Sequence, residues 1–318
     1  MHSKSLGVCT TLMLAISIAA GAETAPSRVG LSAAEIVNKN IVARGGSQAW
    51  HAVQTLSWTG KLGAGGNQRA ALPVSAPGKD IAKIPTDPRP KEEVQLPFVM
   101  EMQRPRKVRF ELQFRGQTAV QVYDGVNGWK LRPYLNRLEV ESYSPEESRI
   151  ASMQSELDGP LVDYAAKGTR IELEGLEKVE DRDTYKLKLT MKDGHAVHDW
   201  IDAHTFLEAK IEGQPRKLDG VEHPVEIYYR DYREVNGLQI PFVLETKVLP
   251  LAKPVSRAGS TPVPTEKIVI EKVEVNPKLD ASMFVKPEVQ TASNHHQAMT
   301  DGAPRTTPVQ PSAKKEME

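Results

Sequence analysis

Apolar and polar positions along this chain change period twice, and the changes delimit its elements. Ile36, Val37, Ile41 and Val42 recur at helical spacing behind Ser32 and Glu35, a pair placed to form a capping box, and Gly45-Gly46 ends the run. The spacing predicts an amphipathic helix over 32–44, with a further helical turn over 48–53 that sets Trp50 against the same core. From Thr55 the period becomes two: Leu56 and Trp58 fall on one side, Ser57 and Thr59 on the other. Val108, Phe110, Leu112 and Phe114 alternate in the same way with Arg109, Glu111 and Gln113. Further strands are predicted over 118–123, 128–132, 184–191, 197–201, 206–211, 225–232, 241–249 and 267–275. Asp124-Gly125, Asp193-Gly194 and Asn236-Gly237 supply hairpin turns between them. Consecutive strands joined by short turns make an antiparallel meander.

Three segments depart from this pattern. Ser144-Pro145-Glu146-Glu147 reads as an N-cap followed by proline at the first helical position, so a helix should run to about Glu156, with a second helical piece over 158–166. Residues 63–96 are rich in Gly, Pro, Ala and Lys and read as a long flexible loop insertion. Residues 288–318 are polar and rich in Pro, Ser, Thr and Gln, the composition of a disordered tail.

The N-terminus carries an export signature. Lys4 precedes an apolar run from Leu6 to Ala20, and Ala20, Gly21 and Ala22 have the small-x-small pattern of a cleavage site. Residues 1–22 are therefore expected to be a signal peptide, leaving a domain over 23–287 and a periplasmic or otherwise exported product. The run is shorter than the roughly 20 apolar residues that a transmembrane helix needs. The single cysteine, Cys9, lies inside that run, so neither a disulfide framework nor a thiolate site is expected in the mature chain. Lys plus Arg and Asp plus Glu both number 41. That balance, without a basic stripe, argues against a nucleic-acid partner.

Candidate chemistry is sparse. His195, His198, Asp199, Asp202 and His204 lie within ten positions. Strand alternation allows only His198, Asp202 and His204 to share a face, and their spacing fits no metal motif. Neither a nucleophile elbow, a zincin motif nor a phosphate loop occurs. No cofactor, no metal and no enzymatic activity are therefore expected, although a hydrolase assembled around His195, His198 or His204 is a further reading. A curved sheet that helices cover incompletely leaves a concave apolar surface suited to a lipid chain or apolar peptide. Helices that fill the space completely would instead make an ordinary core, and periodicity does not choose between the two.

Arg104-Pro105, the strand to Phe114, Val122-Tyr123-Asp124-Gly125 and Trp129 resemble the pattern of the periplasmic carriers that sort lipoproteins to the outer membrane. Asn276-Pro277, Asp280, Ser282, Phe284 and Pro287 resemble the closing motif of the same LolA-like group. Gly159-Pro160-Leu161, Ile201-Asp202 with Thr205, and Tyr232 to Val235 with Gly237 and Pro241-Phe242 resemble its longer members. The resemblance implies an incomplete, strongly curved antiparallel β half-barrel covered by lid helices, holding acyl chains. It also implies that Arg104 bonds to the lid and gates it. On this reading a monomer receives lipid or lipoprotein acyl chains from an inner-membrane donor and passes them to an outer-membrane acceptor. Trp58, Val108, Phe110, Leu112, Phe114, Val120, Val122, Trp129, Tyr185, Leu187 and Leu189 are expected to line its cavity. The alternative is a half-barrel sensor or scaffold that binds an envelope protein or peptide without transferring lipid.

Overall fold

The computed structural model describes residues 30–65, 93–218, 220–251 and 265–288. The predicted signal peptide, most of the predicted loop and the C-terminal tail lie outside these residues. No helix among the described residues is long and apolar enough to cross a membrane.

Among the described residues thirteen antiparallel strands form one open sheet. They are β1 (Thr55–Gly65), β2 (Glu93–Gln103), β3 (Lys107–Phe114), β4 (Gln117–Tyr123), β5 (Gly128–Arg132), β6 (Arg137–Ser142), β7 (Arg170–Val179), β8 (Arg182–Thr190), β9 (Ala196–Asp202), β10 (Glu208–Leu218), β11 (Val221–Val235), β12 (Leu238–Val248) and β13 (Glu266–Val275). The spatial order is β6-β5-β4-β3-β2-β1-β13-β12-β11-β10-β9-β8-β7. Apart from the central β1–β13 pair, every neighbouring pair is consecutive in sequence. The sheet would close only if β6 met β7, and it does not, so those two strands are its free edges.

Three α-helices among the described residues accompany the sheet: α1 (Ala33–Ala43), α2 (Ser47–Ala52) and α3 (Pro145–Gln154). The α1 capping box forms as predicted, with Ser32 N–H donating to Glu35 Oε2 at 2.8 Å. Ile36 and Val37 of α1 pack with Leu161, Leu187, Leu189, Val197 and Ile201 over the β8–β9 half of the sheet. Trp50 and Val53 pack with Leu56, Phe98, Leu238, Ile240 and Ile270 over the central half. Ile41 touches both clusters. One helical layer thus lies inside one curled sheet, which makes the fold a half-barrel.

Tight geometry fixes α1 to the β11–β12 turn. Asn236 and Gly237 both have positive φ, 52° and 78°, as a two-residue hairpin turn requires. A Cβ on Gly45 would come within 2.3 Å of the Gly237 carbonyl oxygen, and Gly45 has φ 111°. Gly45→Ala is therefore expected to cost more than about 1 kcal/mol and to lower the thermal midpoint.

The convex face has its own cover. Asn276 Oδ1 accepts from the Gln54 N–H at 2.6 Å, and Asp280 caps a 3-10 turn, Ala281–Phe284. Arg109 Nη1 donates to the Met283 carbonyl at 2.9 Å, and Phe284 is buried against this side. The closing motif read from the sequence is thus a strap across the outside of the sheet.

Two expectations need correction, and two strands went unpredicted. Strand pairing extends into the predicted loop from both sides, with Gly63 opposite Gln95 and Leu62 opposite Leu96, so only residues 66–92 of it lie outside the described residues. Val94, Leu96, Phe98, Met100 and Met102 alternate regularly, but Pro97, which cannot donate to a ladder, interrupts the pattern. The predicted helical piece over 158–166 is a series of turns, because Gly159 and Asp163 hold positive φ. Strand β7 escapes the alternation rule through a bulge between Leu173 and Gly175, and β6 is short and largely exposed.

Candidate functional site

Register assigns each strand residue to a face, because directly opposed residues in an antiparallel pair point the same way. Trp58 lies opposite Met100, which lies opposite Phe110. Leu62 lies opposite Ile268, Ile268 opposite Leu244, and Leu244 opposite Tyr229. These rows run side by side on the concave face. Trp58, Leu62, Met100, Phe110, Leu112, Leu244 and Ile268 pack against the core without being fully buried. Phe98 and Phe110 stack with centroids 5.7 Å apart. The rows form an apolar floor, and covering it with an alkyl chain would release about 0.8 kcal/mol per CH₂.

Helix α3 bridges from β5 to β10. Ser144 and Glu147 form the predicted capping box, with Ser144 N–H donating to Glu147 Oε2 at 2.8 Å, and Pro145 opens the helix. No residue of α3 is fully buried, so its packing holds it weakly. Polar tethers hold it on both sides instead. On the β1–β6 wall Lys130 pairs with Glu147, and Arg106 Nε donates to Glu156 at 2.7 Å. On the opposite wall Arg149 donates to Gln214 of β10 at 3.4 Å and lies 3.9 Å from Asp193. The helix therefore spans the side on which β6 and β7 fail to meet.

Arg104 is the principal anchor. Its Nε donates to the Val53 carbonyl at 2.8 Å, and its Nη2 donates to the Trp50 carbonyl at 3.1 Å and to Asp158 Oδ2 at 2.9 Å. One guanidinium so joins the end of β2, the end of α2 and the segment after α3. Lys167 Nζ binds the other Asp158 oxygen at 2.7 Å. Burial alone would raise the Asp158 carboxyl, but the bonded Lys167 and Arg104 cations hold it below its ordinary value. Such a group stabilises the fold above the unfolded aspartate value of about 3.9, and its contribution fades as pH falls through the lowered folded value. Arg104→Ala is expected to cost about 2 kcal/mol through lost charge-assisted bonds. It should also speed amide exchange over 155–168 while leaving the β11–β12 amides protected, which hydrogen exchange by mass spectrometry checks.

The residues predicted to line one cavity fall on two faces. Trp58, Val108, Phe110, Leu112 and Phe114 share the concave face, Phe114 lying at its margin edge-on to Tyr134 at 6.1 Å. Val122 opposes Arg109, Val120 opposes Glu111, and Trp129 opposes Val122, so these three point to the convex side. Leu187 and Leu189 do point inward, but both are 0 % exposed and form core with α1. Tyr185 is half-buried on the same face and stacks on Phe206 at 6.2 Å. Sequence reasoning missed Leu62, Met100, Leu244 and Ile268; the alternation in β2 was the available signal for Met100.

The histidine cluster does not assemble. His198 lies on the convex face between Glu212 at 2.8 Å and Glu174 at 3.3 Å. Asp202 accepts from the backbone of His204 and Thr205 and from Arg182. No grouping of three or more candidate metal ligands occurs among the described residues. An open groove of about 1050 Å³ lies elsewhere, on the outer side of α1 and α2, lined by Val42, Ala49 and Tyr164 among others.

No family model and no curated protein matches this sequence. The fold is similar to those of several solved proteins. One is a LolA superfamily protein from Nitrosomonas europaea, with 13% identity over 81% of this chain and 99% of that one, at a TM-score of 0.48. Another is a DUF1329 family protein from Desulfovibrio piger, with 10% identity over 80% and 98% of the two chains and a TM-score of 0.48. A third is an outer membrane lipoprotein-sorting protein domain from Vibrio parahaemolyticus, with 12% identity over 79% and 94% and a TM-score of 0.47.

Proposed function

We propose that this protein is an exported, non-enzymatic carrier that shelters the acyl chains of a lipid or lipoprotein between the concave face of its sheet and its lid. The observation that carries the reading is the half-buried apolar floor around Trp58, Met100, Phe110, Leu244 and Ile268, with α3 held near it by polar tethers. Apolar surface left open on the inside of a curved sheet is where an alkyl chain gains most from leaving water. A lid held mainly by hydrogen bonds and ion pairs can be released without breaking the core. The export signature and the carrier-like motifs around Arg104 and Asn276 support a periplasmic setting, with a membrane-bound donor and acceptor as partners.

Native mass spectrometry of the mature protein purified from periplasm, followed by lipid extraction, tests the reading. Co-purified lipid or acylated peptide released on denaturation is the expected result. A clean apo mass that also rejects added acyl ligands would overturn it.

A further inference from the structure

One carboxyl inside the half-barrel lacks a side-chain hydrogen-bond partner among the described residues. Asp199 lies opposite Leu187 and Ile211 and therefore points to the concave side. It is 0 % exposed, and among the described residues no side chain bonds either carboxyl oxygen; the backbone N–H of Trp200, the next residue, is the donor that reaches its charge, outside good hydrogen-bond geometry. A buried polar group in this condition is costly and calls for an explanation. Four groups face it: Glu208 from β10, Arg44 from the end of α1, and Tyr229 and Tyr232 from β11. Arg44 is already engaged, lying 3.5 Å from Glu208, donating to the Asp158 carbonyl at 2.9 Å and stacking on Trp50. Tyr232 donates to Glu208. The cluster thus holds two carboxyl groups and one cation, and the unmatched carboxyl is Asp199. Tyr229 joins this cluster to the apolar floor, since it opposes Leu244 on the same face.

We propose that Asp199, with Glu208 and Tyr229, forms a socket for a cationic amine head group on an alkyl chain that lies along the floor. This deepens the carrier reading and rests on it. An ammonium offers three donors and no acceptor, which matches carboxylate oxygens to which no side chain donates. Without ligand, burial and the adjacent Glu208 push the Asp199 carboxyl well above its ordinary value, against the pull of Arg44, which favours its protonated form. An ammonium arriving beside it favours the ionised form, so a proton held there leaves to solvent and an ion pair remains.

The test uses the whole mature chain and three ligands with the same twelve-carbon chain: dodecylamine, dodecanol and laurate, each kept below micellar concentration. Isothermal titration calorimetry at pH 7 is expected to give dodecylamine an affinity at least ten-fold above dodecanol, with laurate weakest. Titrations in phosphate and Tris buffers should show protons released with the amine and none with the alcohol. Asp199→Asn should bring the amine down to the alcohol while leaving alcohol binding intact. Glu208→Gln, which frees Arg44 to pair with Asp199, should do the same and serves if the first variant does not fold. Equal binding of all three ligands, or amine preference that survives in both variants, would overturn the socket while leaving the carrier reading standing. Rejection of all three would overturn both.

A stability consequence follows. A folded-state carboxyl held above its unfolded value lowers stability as pH rises past about 3.9, because the unfolded chain then ionises first. Asp199→Asn without ligand is therefore expected to raise the thermal midpoint at pH 7 and to lose that advantage toward pH 4.

Discussion

Leu187→Glu leaves the protein unfolded at room temperature. The side chain is 0 % exposed and packed among Ile36, Val37, Leu161, Val197 and Ile201, so a glutamate there has no path to water. Its opposite neighbour is Asp199, a second acid. The substitution removes about 2 kcal/mol of apolar burial, then adds the larger cost of an unpaired buried acid. Against a total stability of about 5–15 kcal/mol for a folded domain, that loss decides the outcome. Circular dichroism on the purified chain should show no cooperative melt. A folded variant that merely fails to bind lipid would mean that Leu187 lines a cavity after all.

Phe110→Glu behaves in the opposite way. Phe110 is half-buried on the open floor, so a glutamate can turn its carboxylate toward the water above it. The fold loses the stack on Phe98, worth about 1 kcal/mol, and still melts cooperatively. Lipid binding is expected to fall by about a hundred-fold, since a fixed charge now faces any alkyl chain on the floor. Lipid extracted per mole of purified protein is the measurement. Unchanged lipid content in a folded Phe110→Glu variant would remove the floor from the site.

The contrast between these two positions indicates what the sequence could convey. Alternation placed both on the apolar side of their strands, and the register puts that side on the concave face. Whether an inward residue is core or floor depends on which helix lies above it, and α1 covers β8 and β9 while leaving the β1–β3 and β12–β13 rows partly open. That is a tertiary fact with no local signature. The misplacement of Val120, Val122 and Trp129 has a different cause. Alternation within β4 gives two sets of positions but not which set faces inward, and only the register Arg109 to Val122 fixes the choice.

Helix starts were the most legible features, because Ser32 with Glu35 and Ser144 with Glu147 carry the whole capping interaction within four residues. The lid tethers were partly legible. Arg104 stood out through its motif, whereas Lys130, Arg149 and Arg106 are ordinary charges until topology brings α3 across the sheet. Asp199 was visible only as a member of a histidine-rich stretch, in which His198 next to it points to the other face. Its isolation became evident only once Arg44, 155 positions earlier in the chain, was found to be engaged by Glu208 and Asp158.

The central claim is that an acyl chain lies along the concave floor beneath α3. A fatty acid carrying a diazirine in mid-chain, photolysed on the mature protein and mapped by peptide mass spectrometry, tests it directly. Labels on Met100, Phe110, Leu112, Leu244 or Ile268 are the predicted result, lost in the Phe110→Glu variant. Labels confined to the convex face around Trp129 and Trp200, or to the outer groove beside Val42, would contradict it.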